Sequence, residues 1–437
     1  MTNGNAQQPS VKLITLDPGH FHAALVQKSM YPQVDPTVYV YGKKSADLQM
    51  HLDKINGYNA DAKAPTHWKE VVYEGDDYLA RMLKEKQGNV VVLAGNNQLK
   101  TDYILKSIQA GYHVFSDKPM VINEKGFEQL KQAFNTAEKN KLLLYDIMTE
   151  RYEITTVLQR ALSMQPALFG QLQKGTEAEP AVTKESVHHF YKYVSGAVLT
   201  RPAWFLDVEQ EGEGIVDVTT HLVDLVQWEC FPDQLIDYKK DIKLTTAKSW
   251  PTVISKAQFS ELTKMNEEPA YLKKYSDDKQ NVSVLSNGEI NYTIKGVHAK
   301  VSVIWNYKAP DGTGDTHYSI MRGTKANLII RQGAEQQYKP TLYIETADHS
   351  AAYEKTAQEI VAKIGQQYKG VSLKKNDKGW EVIIPEIFKE GHESHFARVT
   401  EKYLGYLANR NMPAWEVPNM LAKYYTTTQA QKLAAKK

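Results

Sequence analysis

Cysteine is almost absent: the 437-residue chain has one, Cys230. A single thiol excludes an intrachain disulfide framework and any cysteine-built zinc cluster. An excess of charge of one sign is lacking too. Lys and Arg number 53 against 51 Asp and Glu, a formal net charge of +2. No strong field exists to draw in a polyanion, so nucleic acid is not an expected partner. Glycine and proline are sparse, at 25 and 17, which excludes collagenous and low-complexity chains. Apolar runs such as residues 90–94 fall far short of the roughly 18–20 residues a bilayer span needs. No signal peptide is visible. Residues 1–10 are polar and read as a disordered lead-in, or as what remains after a leader is removed. The compartment therefore stays open: cytoplasmic as the sequence stands, periplasmic if a leader was lost.

What remains is ordinary globular composition, 42% hydrophobic and 24% charged, with length for two or three domains. Residues 11–150 alternate between two periods. Strand-like runs at 11–16, 37–41, 90–94, 113–116 and 142–145 are separated by helical spacing at 20–30, 76–86, 101–110 and 124–140. The run Val90-Val91-Val92-Leu93-Ala94 has no alternation, the mark of a strand buried on both faces. Strand–helix repeats at this spacing predict an α/β doubly wound parallel sheet, and ligands of such sheets sit at the strands' carboxyl ends.

Those ends hold the candidate residues. After the first strand comes Asp17-Pro18-Gly19-His20-Phe21-His22. A dinucleotide fingerprint would place glycines at 17, 19 and 22, and only Gly19 is present. Gly19 also suits a plain turn, while a helix opening at His20 and Phe21 would offer N–H groups to a phosphate. The second strand ends at Gly42, where an NAD-selective site usually carries an acid for the ribose hydroxyl. Lys43, Lys44 and Ser45 follow instead and suit a 2′-phosphate, or simply a solvated helix start. The third run ends at Gly95-Asn96-Asn97. The fourth ends at Asp117-Lys118-Pro119, where proline stops the strand and sets a lysine at the sheet's mouth.

Three strings carry a resemblance. Ala94-Gly95-Asn96-Asn97, then Ile108-Gln109-Ala110-Gly111-Tyr112-His113-Val114, then Asp117-Lys118-Pro119, resemble the glucose–fructose oxidoreductase, inositol dehydrogenase and rhizopine catabolism (Gfo/Idh/MocA) family. A second block, Gly214-Ile215-Val216-Asp217-Val218-Thr219-Thr220-His221-Leu222-Val223-Asp224, is similar to that family's active-site motif, and Trp204 to Asp207 resembles its lead-in. The resemblance implies a Rossmann domain holding NADP or NAD and action on sugars, inositols or related polyols. It implies that Lys118 lies near nicotinamide and substrate, and that Asp217 and His221 are active-site residues. Spaced i, i+4, those two would share a helical face. The chain departs from the family pattern at fingerprint positions 17 and 22, at Lys100 where histidine is usual, at Asp117 where glutamate is usual, and at Thr219 where glycine is usual. It is most similar to a bacterial branch carrying an oxidoreductase C-terminal domain.

Beyond residue 150 the βα alternation stops, so residues 151–437 are expected to form a substrate and oligomerisation domain. It is read as α+β, with an open, largely antiparallel sheet and C-terminal helices. A helix is expected at 154–164. Strand-like segments lie at 192–195, 281–284, 291–295, 298–307, 326–331 and 342–346, and helical spacing returns at 394–423. Residues 266–278 read as an exposed insertion. Family members use the open sheet for oligomer contacts, so a homo-oligomer is implied. Tyr191 and Trp204 could line a sugar site, though core tyrosines are common.

The reading is an NAD(P)-dependent oxidoreductase acting on a hydroxyl or keto group of a sugar, glycoside or polyol. Lys118 would polarise the substrate oxygen, His221 would serve as acid/base and Asp217 would orient. Within the family, a tightly held cofactor in a transient-keto cleavage or epimerisation cycle is the alternative. A metal-dependent hydrolase would use His20-Phe21-His22 in a (β/α)-barrel, which needs eight βα units. A non-catalytic nucleotide or sugar binder is the remaining class. No metal is assigned.

Overall fold

The computed structural model describes residues 11–194 and 197–436. The expected lead-in at 1–10 and the end of the strand-like segment at Ser195 lie outside the described residues. The chain divides into two compact units, residues 11–149 with 392–412, and residues 150–391 with 413–436.

The first unit is built on β1 (Leu13–Leu16), β2 (Thr37–Gly42), β3 (Lys69–Glu74), β4 (Val90–Leu93), β5 (His113–Asp117) and β6 (Leu144–Ile147). All are parallel, in the order β3-β2-β1-β4-β5-β6. This is the Rossmann order, with the switch point between β1 and β4. β4 is buried along its whole length, as its unbroken Val run requires. The helices are α1 (His22–Leu25), α2 (Ala46–Asn59), α3 (Tyr78–Glu85), α4 (Asn97–Gln109) and α5 (Glu124–Lys139). Ser45, Asn96 and Asn123 cap α2, α4 and α5 by accepting backbone N–H bonds, which satisfies donors that a helix start leaves open. Gly111 follows α4 at φ +91°, a left-handed position that glycine takes without a Cβ clash.

Two expectations are corrected here. The helix expected at 20–30 is one turn, because turns at Gln27 and Lys28 end it at once. The edge strand β3 was not foreseen. The late helix His392–Asn409 completes this unit: Tyr403 stacks on Phe115 at 4.4 Å between centroids and Tyr406 meets Tyr145 edge-on.

The second unit holds a nine-stranded sheet. Its strands are β7 (Val182–Tyr191), β10 (Ile242–Ile254), β11 (Val282–Ile294), β12 (Val297–Lys308), β13 (Thr316–Arg322), β14 (Ala326–Arg331), β15 (Thr341–Thr346), β16 (Ser372–Asn376) and β17 (Gly379–Ile383), while β8 (Tyr193–Val194) and β9 (Ala197–Val198) form a separate ribbon. The order is β10-β11-β12-β7-β13-β14-β15-β17-β16. Only β12 and β7 pair in parallel, so the sheet is open and largely antiparallel. The segments expected at 281–284 and 291–295 are one strand, β11, and β7, β10, β13, β16 and β17 were not expected. The helices α6 (Ile154–Ser163) and α7 (Thr219–Cys230), with Glu416–Ala434, pack against this sheet. A core of Phe190, Trp204, Phe205, Val303 and Trp305 includes Leu272, so the stretch 266–278 is anchored by one buried side chain.

Candidate functional site

The carboxyl ends of β1 and β4 are tied to each other. The amides of Gly19 and His20 both donate to the Ala94 carbonyl, each at 3.2 Å. A Cβ at Gly95 would lie 2.4 Å from the Asp17 carbonyl oxygen, so glycine is what lets the two loops close. Asp17 itself, at φ +48°, was not singled out by sequence. Its carboxylate accepts a bond from the Tyr103 hydroxyl at 2.9 Å, and Tyr78 stands at 3.5 Å. Burial pushes its pKa up, against the pull of Tyr103 and Lys43.

At the mouth of β2, Lys43, Lys44 and Ser45 are exposed. Ser45 is committed to the cap of α2, where its hydroxyl accepts from Leu48 at 3.2 Å. Asn96 caps α4, and Asn97 is buried as its first residue. A notional Cβ at Gly42 would stand in ordinary contact with Leu48 side-chain atoms at 3.8 Å and Asp17 Cα at 3.9 Å, and no acid stands there. A dinucleotide therefore fits the bare Gly42 mouth, the two lysines and the start of α4. The first turn fits less well, since two of its amides are already spoken for.

The end of β5 gathers residues from the first turn. Asp117 Oδ1 accepts from the Lys118 amide at 2.9 Å. Its other oxygen, Oδ2, lies 2.9 Å from His22 Nδ1 and 3.8 Å from His20 Nδ1. The Lys100 ammonium donates to the Asp117 backbone carbonyl at 3.3 Å. Lys118 is the next residue, followed by Pro119. Thus His20 and Asp117 are brought together, joined by His22, to which the sequence reading gave a site role only in the metal-dependent hydrolase alternative. Phe21 packs edge-on to His22 at 4.4 Å.

The second unit holds the other candidates. Asp217 is buried in the turn ahead of α7, its amide donating to Glu213 O at 3.0 Å. His221 lies in the first turn of α7 and is half-buried. Asp217 lies in the turn that leads into α7, two residues before its start, and the two are linked by consecutive turns, Thr220 donating to Asp217 O at 3.3 Å and His221 to Val218 O at 3.0 Å. Trp204 belongs to the apolar core, and Tyr191 ends β7, meeting Tyr193 and Tyr307 ring to ring at 6.2 and 6.1 Å. Asp224, the last residue of the matched block, is fully engaged with Arg151 (2.6 and 2.7 Å) and Lys423 (2.9 Å), and Arg151 also reaches Glu416 at 3.1 Å. Sequence reasoning missed this buried quartet, because its partners are more than 70 residues from Asp224.

Residues 43–146 match the model of the oxidoreductase family with an NAD-binding Rossmann fold, and residues 158–435 match the family described as "Putative oxidoreductase C terminal domain". The chain belongs to the Gfo/Idh/MocA oxidoreductase family. A crystal structure of a "putative oxidoreductase" from Parabacteroides merdae is 56% identical, with TM-score 0.96 and 99% of each chain covered. More distant members of the fold include levoglucosan dehydrogenase, solved with NADH and levoglucosan (11% identity, TM-score 0.61, 97% of each chain). Biliverdin reductase from Synechocystis, solved with biliverdin and NADP+, is similar too (11% identity, TM-score 0.58, 97% of this chain and 99% of that one). At such identities the likeness shows the fold alone, and the fold hosts very different substrates. No curated protein matches the sequence. Among the described residues no helix is long and apolar enough to cross a membrane.

Proposed function

We propose that this oxidoreductase transfers a hydride between NAD(P) and a hydroxyl or keto carbon of a sugar, glycoside or polyol. The observation that carries the reading is the strand-end Asp117-Lys118-Pro119 of a β3-β2-β1-β4-β5-β6 sheet, in a family chain that also keeps Asp217 and His221. The dinucleotide, when bound, supplies the hydride acceptor or donor. Lys43, Lys44, Asn96 and Asn97 are the residues that would hold it, with Gly19, His20, Phe21 and Gly95 forming the floor. The chain's own work is proton handling and orientation. Lys118 holds positive charge against the substrate oxygen, His221 takes or returns the hydroxyl proton and Asp217 orients. Tyr191 and Trp204 are the proposed aromatic substrate contacts. Exposed Trp250, Val253 and Ile304 on β10 and β12 support an oligomer contact through the open sheet.

The test is a panel of sugars, glycosides and polyols with NAD+ and NADP+, each pair followed by nicotinamide absorbance. Substrate-dependent reduction with at least one member is expected. Binding of neither dinucleotide in direct titration would overturn the reading.

A further inference from the structure

We propose that His20, His22 and Asp117 bind one divalent first-row transition-metal ion of the zinc class. The three donor atoms, two imidazole nitrogens and one carboxylate oxygen, lie within 4.8 Å of one another. Zinc takes nitrogen and oxygen ligands at about 2.0–2.2 Å, so neighbouring ligands of a tetrahedral site stand roughly 3.4 Å apart. The separations from Asp117 Oδ2, 2.9 Å to His22 and 3.8 Å to His20, bracket that edge. Along those two edges the site closes with shifts of about half an ångström or less.

The surroundings suit a first-row ion. Asp117 is oriented by its second oxygen, which accepts from the Lys118 amide; anchoring of a ligating carboxylate is what tunes such sites. Phe21 and Phe396 pack on His22 at 4.4 and 4.6 Å and restrict water, while His392 stands at 5.1 Å between ring centroids. Two imidazoles and a carboxylate leave coordination positions for water or an anionic ligand oxygen, as in open catalytic sites. The nearby Lys100 ammonium donates to the Asp117 backbone carbonyl at 3.3 Å. His188 and His189 meet another aspartate, Asp315, at 3.2 and 3.1 Å, and there Lys192 lies on the carboxylate at 2.7 Å.

A cation at this turn would also restore positive charge where the Gly19 and His20 amides are committed to Ala94. The proposal does not depend on the reading of function, because it is tested with the metal alone.

Full-length protein, stripped with a chelator, is titrated with Zn2+ against a chromophoric chelator in the absence of dinucleotide. One tight equivalent is expected, weakened roughly tenfold or more by Asp117→Asn and roughly hundredfold by His20→Ala/His22→Ala, given what even outer partners of metal ligands are worth. Replacing exposed His67 and His349 by alanine should leave it unchanged. Where the double variant does not fold, Co2+ loaded into wild type reads the site directly: visible bands of a low-coordinate nitrogen/oxygen site are expected. Wild type that binds Zn2+ no tighter than the double variant, or Co2+ giving only the spectrum of the hydrated ion, would overturn the proposal and leave an ordinary histidine–aspartate pair.

Discussion

Replacing Asp224 by asparagine should destabilise the second unit sharply while leaving its sheet topology alone. Arg151, Asp224, Glu416 and Lys423 form a quartet of two cations and two anions, each side chain at most 5% exposed. The substitution is nearly isosteric, so its effect is electrostatic. It leaves two buried cations facing one carboxylate and removes three charge-assisted bonds of 2.6–2.9 Å. Breaking a buried pair from one side typically costs about 3–5 kcal/mol, because the partner's charge is left uncompensated. At roughly 2–4 °C per kcal/mol for a domain of a couple of hundred residues, Tm of this unit should fall by about 6–20 °C. Differential scanning calorimetry at neutral pH reads it. The acid limb gives a second check. Burial alone would raise the Asp224 pKa, but Arg151 and Lys423 outweigh it and hold the carboxyl well below the usual range. A depressed carboxylate contributes stability above its unfolded pKa, near 4, and loses it as pH falls further. Wild type should thus lose stability below about pH 4 more steeply than Asp224→Asn. A fall in Tm under 2 °C with an unchanged acid limb would refute this reasoning.

Lys184 and Glu229 are wholly buried and 2.8 Å apart, so Lys184→Met should cost about 3–5 kcal/mol, with Lys184→Met/Glu229→Gln recovering more than half of it in denaturant titration. His51 is buried with neither ring nitrogen hydrogen-bonded, and burial pulls its pKa down to about 4. The unfolded imidazole takes a proton near 6.5, so stability falls as pH drops from there toward 4, by about 3 kcal/mol. His51→Leu should flatten that limb, as read by urea titration at both pH values. Lys43→Ala/Lys44→Ala should weaken NADP(H) more than NAD(H) in fluorescence titration, by roughly tenfold if either ammonium meets the 2′-phosphate. Equal losses would assign the lysines to solvent.

How much was legible follows from what each segment buries. β4 could be read because both faces are buried and every residue is apolar. β3, Lys-Glu-Val-Val-Tyr-Glu, is an edge strand whose residues stay exposed or half-buried, so it carries no burial signal. β7 alternates as a strand should, but two of its inward positions are Lys184 and Ser186. A lysine neutralised by Glu229 inside a core defeats any hydrophobic-period reading. Lys118, Asp217 and His221 could be proposed from sequence because they sit in short contiguous motifs. The His22–Asp117 contact could not, since it joins residues 95 apart in sequence. The same limit hid the return of residues 392–412 to the first unit and the tie between Gly19, His20 and Ala94.

The central claim is that Lys118 serves hydride chemistry on a family Rossmann domain. The most direct measurement compares wild type and Lys118→Met for dinucleotide affinity and for turnover of whichever sugar or polyol the panel identifies. The account predicts that turnover falls by ~10²–10³, the value of one preorganised charged group, with the Tm and dinucleotide affinity nearly unchanged. A folded Lys118→Met protein that retains full turnover would contradict it.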